Sequence, residues 1–146
     1  MSDPRALGHP APHRQQVSGW KQGVGVYAAP AAWGLQFLIG YSLAAYACHP
    51  GRMALADVPE GWEWTRLFAL VVNIVAAGVA LWAGLVALSV WRATRREKDE
   101  RSTRVLEAGE GRTRFLGVWG MLTSFGFLIA IIFDTVMILG APACRG

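Results

Sequence analysis

The sequence predicts an all-α integral membrane protein with three transmembrane helices, its N-terminus in the cytoplasm and its C-terminus outside. Only 16% of its 146 residues are charged, whereas soluble domains contain about 25%. Three segments are apolar over a length that can cross a bilayer, and lysine and arginine are concentrated on alternate sides of them. The hydrophobic content of 53% excludes a disordered chain, and a net charge of only +4 does not indicate a nucleic-acid partner.

The predicted spans are the segments 29–48, 67–91 and 115–141. A helix of about 20 residues crosses about 30 Å of hydrocarbon, and each segment meets that length. The first span is the most polar, and we place Pro30 in its first turn, where a missing N–H is harmless. Residues 1–28 are polar and rich in proline and glycine, so we expect a mobile cytoplasmic tail ahead of a three-helix domain, 29–146.

Positive residues orient the spans, because short cytoplasmic loops retain lysine and arginine. Eleven of the 14 lysines and arginines lie in the N-terminal segment and in the loop between the second and third spans. Both regions are therefore predicted to be cytoplasmic, in a multi-pass protein of the bacterial inner membrane. Interfacial tryptophans are expected near the cytoplasmic boundary (Trp33, Trp91 and Trp119) and near the outer one (Trp62 and Trp64).

The loop between the second and third spans is strongly charged. We expect the second helix to continue through it to Glu107, because opposite charges three or four residues apart stabilise a helix. The sequence Ala-Gly-Glu-Gly at 108–111 is expected to end that extension. We interpret the loop as a solvated positive anchor, and a docking surface for an anionic partner or anionic lipid is the alternative.

Two cysteines lie near the predicted outer face, since Cys48 closes the first span and Cys144 follows the third. In an oxidising compartment two thiols at matching depth can form a disulfide, and we favour this pairing over free thiols. The alternative is a Cu(I) site built from the soft ligands of the same patch: Cys48, His49, Met53 and Cys144. Their spacing matches no established ligand motif, so no metal or cofactor is predicted.

Asp134 is the one acidic or basic residue within the predicted spans. Counting helical rise places Tyr41, Asn73 and Asp134 about 10 Å below the outer boundary, so one polar layer could link all three helices. A structural hydrogen bond between Asp134 and Asn73, or a contact of Asp134 with a partner subunit, is favoured over a proton relay or ion coordination. A relay needs further acidic or histidine stations across the bilayer, and the predicted spans contain none.

Small residues predict which helix faces pack together, because they let backbones approach closely in a membrane. The predicted faces are Asn73, Ala76, Ala80 and Gly84 on the second helix, and Gly126, Ala130 and Asp134 on the third. Gly117 and Gly120 add room near the inner end. Much of the remaining surface of three helices must meet lipid or another protein.

Three segments resemble a known family. The segment APAAWGLQFLIGYSLAAYAC has a Pro-x-x-Trp start and a Tyr-x-Leu stretch ending in Cys, GRTRFLGVWGMLTSFGFLIAII opens the last span, and Pro142-Ala143-Cys144 ends it. Together they resemble the small three-helix membrane proteins of unassigned function encoded beside haem–copper (cytochrome c) oxidases in proteobacteria. The resemblance implies a paired-cysteine pattern at Cys48 and Cys144, and a role as an accessory subunit or assembly factor. Asp134 departs from the family pattern, since the resemblance implies a more neutral residue at this position.

The favoured function is therefore a non-enzymatic membrane protein whose partners are the lipid bilayer and other membrane subunits, an oxidase among them. One alternative is a small oligomeric transporter or channel with Asp134 as its coupling carboxylate, and another is an outer-face copper-binding protein. No catalytic residue is predicted, because the sequence contains no nucleophile with a base, no phosphate-binding loop and no metal motif.

Overall fold

The computed structural model describes residues 19–49, 55, 57–100, 108–140 and 144, with side chains left undescribed at 94–100 and 108–114. It contains three α-helices that pack against one another: α1 (Gly19–Cys48), α2 (Trp64–Glu100) and α3 (Ala108–Gly140). The all-α prediction is confirmed. Three segments are long and apolar enough to cross a membrane, namely Gly19–Cys48, Trp64–Ala93 and Phe115–Gly140. The three predicted spans are therefore present, as in a multi-pass membrane protein.

α1 begins ten residues before the predicted first span. Residues 19–28 contain three glycines, which disfavour an isolated helix, and they were expected to belong to the tail. They are helical because they pack: a Cβ placed on Gly25 would lie 3.2 Å from the Cβ of Ala87 on α2. Tertiary packing of this kind supplies most of the stability of a helix in a folded protein. Residues 1–18 of the predicted tail lie outside the described residues.

The early start of α1 changes the environment of two residues. Pro30 lies inside the helix rather than in its first turn, so the carbonyl one turn before it has no intrahelical donor. Trp33 lies midway along α1 and is half-buried. It packs against the core, with its ring centroid 5.3 Å from that of Phe127 on α3.

The connection from α2 to α3 differs in part from the prediction. α2 continues beyond its membrane-spanning segment to Glu100, as expected, and residues 101–107 lie outside the described residues. Residues 108–111 do not break a helix but form the first turn of α3. Glycine costs least at a helix end, where few backbone hydrogen bonds depend on it.

The core of the bundle is formed mainly by small side chains: Ala29, Ala76, Ala80, Ala83 and Ile131. The predicted face of α2 is confirmed, since Asn73, Ala76, Ala80 and Gly84 are all buried. The predicted face of α3 is confirmed in part: Gly117 and Gly120 are buried, Ala130 and Asp134 are half-buried, and only Gly126 is exposed. Close contact of Gly120 with the α1 backbone fixes how α3 is rotated.

Candidate functional site

A carboxyl–carboxamide pair links α1 and α3 inside the bundle. The Nε2 of Gln36 donates a hydrogen bond to Oδ2 of Asp134, at 2.7 Å. Gln36 is only 4% exposed, and Asp134 is half-buried. Sequence reasoning missed Gln36 as a partner, although it is the only carboxamide in the predicted first span and offers the donor that a buried carboxyl group needs.

Asn73 lies beside this pair but does not bond to Asp134, contrary to the expectation. It is 2% exposed, and its Nδ2 donates to the carbonyl of Ala69 at 2.9 Å. Its Oδ1 lies 3.3 Å from the hydroxyl of Thr135, which also lies 2.8 Å from the carbonyl of Ile131. Because Asp134 and Thr135 are adjacent in sequence, a polar layer does link all three helices.

Tyr41 does not belong to this layer within one copy of the chain. It is 68% exposed on the outside of α1. Its ring stacks on Phe37, and Phe37 stacks on Trp33, with centroids 6.4 and 5.7 Å apart. Counting residues gave the depth of Tyr41 but not the side of the helix on which it lies. Tyr41 follows Gln36 by five residues, which places it about 140° away from Gln36 around the helix axis.

The two cysteines meet at the end of the bundle where α1 and α3 finish. The sulfur atoms of Cys48 and Cys144 lie 2.14 Å apart, at disulfide distance, and their Cα atoms lie 5.3 Å apart. This is the geometry of the predicted disulfide between Cys48 and Cys144. It disfavours the Cu(I) alternative, because a sulfur–sulfur bond leaves no thiolate to bind a metal.

The two other proposed metal ligands are His49 and Met53. His49 is exposed, and Met53 lies outside the described residues. No group of three or more histidine, cysteine, aspartate or glutamate side chains that could hold a metal ion occurs in the part of the chain that the structure describes.

Further contacts close the same end of the bundle. The Arg66 guanidinium, near the start of α2, donates to the carbonyl of Leu139 in the last turn of α3, where a cation also complements the helix dipole. The residues before α2 form a type II turn in which Trp62 N–H donates to the carbonyl of Pro59 at 3.1 Å. Gly61 supplies the positive φ, 87°, that this turn requires.

That turn completes a row of aromatic rings between α1 and α2. The rings follow one another at centroid distances of 6.2, 6.1 and 5.9 Å, in the order Tyr46, Trp62, Trp64 and Phe68. Trp62 and Trp64 therefore lie near the helix ends, as expected of interfacial aromatics.

The opposite end of the bundle is held by close backbone approach. Ser124, which is 0% exposed, donates through its Oγ to the carbonyl of Gly25 at 3.1 Å. A Cβ added to Gly120 would lie 2.9 Å from that same carbonyl oxygen and 3.3 Å from the Cβ of Ala87. Sequence reasoning expected Gly120 to make room for a neighbouring helix but missed Gly25 of α1, which faces it.

Comparison of the chain with protein-family models, with curated proteins and with solved structures found no match. The candidate site is therefore interpreted from its own chemistry. Two hydrogen-bonded pairs, Gln36–Asp134 and Asn73–Thr135, and the Cys48–Cys144 link connect α1, α2 and α3. The arrangement can fix the helices relative to one another, and Asp134 retains one carboxyl oxygen that accepts no hydrogen bond from any described residue.

Proposed function

We propose that this chain is a non-enzymatic accessory subunit or assembly factor of a respiratory haem–copper oxidase in the bacterial inner membrane. The observation that carries the proposal is the resemblance of three segments, including both cysteines, to small three-helix proteins encoded beside such oxidases. The distribution of lysine and arginine supports an N-terminus in the cytoplasm and a C-terminus outside. In that orientation the Cys48–Cys144 pair faces an oxidising compartment.

The surface of the bundle supports a packing role. Many large apolar side chains point outward, among them Leu38, Phe133 and Met137, which are 61%, 67% and 65% exposed. Two of the buried polar residues bond to half-buried polar side chains of α3: Gln36 to Asp134, and Asn73 to Thr135. Such a bundle offers its neighbours shape and apolar contact, which is what an accessory subunit contributes to a larger membrane complex.

The test is to tag the full-length chain at its N-terminus, express it at native level and purify it in a mild detergent. We expect haem and copper subunits to co-purify with it in fixed proportion, as detected by haem absorbance and by mass analysis. A strain lacking the chain should assemble less of the oxidase. Purification free of haem, together with normal oxidase content in that strain, would contradict the proposal.

A second candidate is a small oligomeric transporter or channel with Asp134 as its coupling carboxylate. The observation that favours it is the unpaired oxygen of this half-buried carboxyl group at membrane depth. Proton-dependent flux into vesicles containing the purified chain, abolished by Asp134→Asn in a folded protein, would support this candidate. An outer-face copper protein is the third candidate. It predicts stoichiometric Cu(I) binding by the reduced chain that is lost on substitution of Cys48.

A further inference from the structure

α3 carries a second row of small residues that the bundle does not bury. Gly126, Ala130 and Asp134 are spaced four residues apart and therefore lie on one face of the helix. Gly126 is exposed, and no atom lies within 4 Å of the position that its Cβ would occupy. Ala130 and Asp134 are half-buried. This face has the small-xxx-small pattern at which membrane helices approach each other closely. α1 contacts it at Asp134, whereas no described atom of the same copy packs on it at Gly126.

Three polar groups near this face lack partners among the described residues. One oxygen of Asp134 accepts no hydrogen bond from the described residues, and the hydroxyl of Tyr41 likewise makes none among them. The carbonyl oxygen of Gln36, which is 4% exposed, is also without a donor among those residues. An unpaired polar group within the hydrocarbon core is costly, because no water is available to replace the missing bond.

The unpaired donor and acceptor lie at similar depth. The hydrogen bond from Gln36 to Asp134 sets α1 and α3 side by side at that depth. Tyr41 begins five residues further along α1, and its ring lies 6.4 Å from that of Phe37. Helical side chains lean toward the N-terminus, so the phenol oxygen extends from Tyr41 toward the level of Gln36.

The donor and acceptor also lie on one side of the bundle. Trp33, the first ring of the stack on α1, contacts Phe127 of α3. The stack continues through Phe37 to Tyr41, so it follows the flank of α1 that adjoins α3. Asp134 lies on the flank of α3 that adjoins α1, since it bonds to Gln36. We define the α1–α3 face by Phe37, Tyr41, Gly126, Ala130 and Asp134.

We propose that the α1–α3 face packs against the same face of a second copy, forming a parallel two-fold dimer. In this dimer the Tyr41 hydroxyl of each copy donates to the free oxygen of Asp134 in the other. A two-fold interface must be complementary to itself, and a face with both an unpaired donor and an unpaired acceptor at similar depth meets that condition. The row of Gly126 and Ala130 lets the two α3 helices approach. The proposal does not depend on an oxidase partner.

The experiment uses the full-length chain, labelled once at its N-terminus and reconstituted in phosphatidylcholine vesicles. The number of copies per complex is counted by single-molecule photobleaching over a range of protein-to-lipid ratios. Gly126→Leu fills the small row without a clash inside one copy, and we expect it to weaken dimerisation at least tenfold. Gly78→Leu is the matched control, because Gly78 is an exposed helical glycine of α2 that also has nothing within 4 Å. It should dimerise like the wild type.

Tyr41→Phe tests the hydrogen bond itself, since it removes only the hydroxyl. Loss of two interhelical bonds should weaken dimerisation about sevenfold. The same substitution should have no further effect when Asp134→Leu has already removed the acceptor. A non-reducing gel and circular dichroism show that each variant keeps its cysteine pair and helix content. A monomeric wild type, equal effects of Gly126→Leu and Gly78→Leu, or cross-linking of this face in native membranes to a different protein would overturn the proposal.

Discussion

Substitution of Gly120 by alanine tests the close approach that holds one end of the bundle. The added Cβ would lie 2.9 Å from the carbonyl oxygen of Gly25 and 3.0 Å from its carbonyl carbon. Both are backbone atoms of α1, so no side-chain rotation can relieve the contact. α1 must move away from α3, and this movement also stretches the hydrogen bond from Ser124 to Gly25.

The magnitude follows from three terms. Overpacking a closely packed interior costs about 1–3 kcal/mol, and a weakened interhelical hydrogen bond in a membrane costs about 0.6 kcal/mol. Alanine opposes this loss, because it is a better helix former than glycine by about 1 kcal/mol in water. Gly78→Ala makes the same change in propensity where no atom lies within 4 Å. Gly120→Ala should therefore be less stable than Gly78→Ala by about 1.6–3.6 kcal/mol.

The assay is reversible unfolding in mixed micelles by titration with sodium dodecyl sulfate, with the cysteine pair oxidised in both variants. Helix content is followed by circular dichroism, and the free energy of unfolding is obtained by linear extrapolation. If Gly120→Ala unfolds at the same detergent fraction as Gly78→Ala, the two backbones do not meet as described. Packing of Gly25 against Gly120 would then not account for the helical structure of residues 19–28.

Three further substitutions test other contacts. Asp134→Leu leaves the buried amide of Gln36 without its acceptor and should cost about 1–2 kcal/mol of unfolding free energy in the same titration, whereas Asp134→Asn, which keeps an acceptor, should cost less. Cys48→Ser should make Cys144 alkylatable in non-reducing mass analysis, where the wild type shows no reactive thiol. Its loss of stability should stay well below the roughly 4.7 kcal/mol that loop-closure entropy gives a soluble chain, because inserted helices are already restricted. Arg66→Met should cost less than about 1 kcal/mol and speed amide exchange in the last turn of α3.

Features of the fold that depend on local composition follow from the sequence. The three spans follow from the length of apolar segments, and the membrane-spanning segments that the structure allows on α2 and α3 begin and end near the predicted limits. The meeting of Cys48 and Cys144 follows from the same count, because two spans separate them and return the chain to the same side. The start of α1 cannot be predicted from local composition. The helical structure of residues 19–28 depends on contacts with Ala87 and Gly120, which are far away in sequence.

The rotation of each helix about its own axis is the second feature that the sequence leaves open. In a soluble helix the polar face shows which side is buried, but a membrane helix is apolar toward both lipid and protein. The rows containing Gly120 and Gly126 therefore look equivalent, and the bundle buries only the first. The same ambiguity explains why Tyr41 was assigned to the polar layer in place of Gln36: depth can be counted along a helix, whereas direction requires the structure.

The position of the two cysteines also relates the disulfide to the order in which the helices are made. Cys48 ends α1 and Cys144 follows α3, so their sulfur atoms can meet only after α2 and α3 have been synthesised. A chain stalled after α2 lacks the partner of Cys48. Molecules with the Cys48–Cys144 disulfide on a non-reducing gel are therefore those in which all three helices have been made, and the fraction oxidised over time follows the assembly of the bundle.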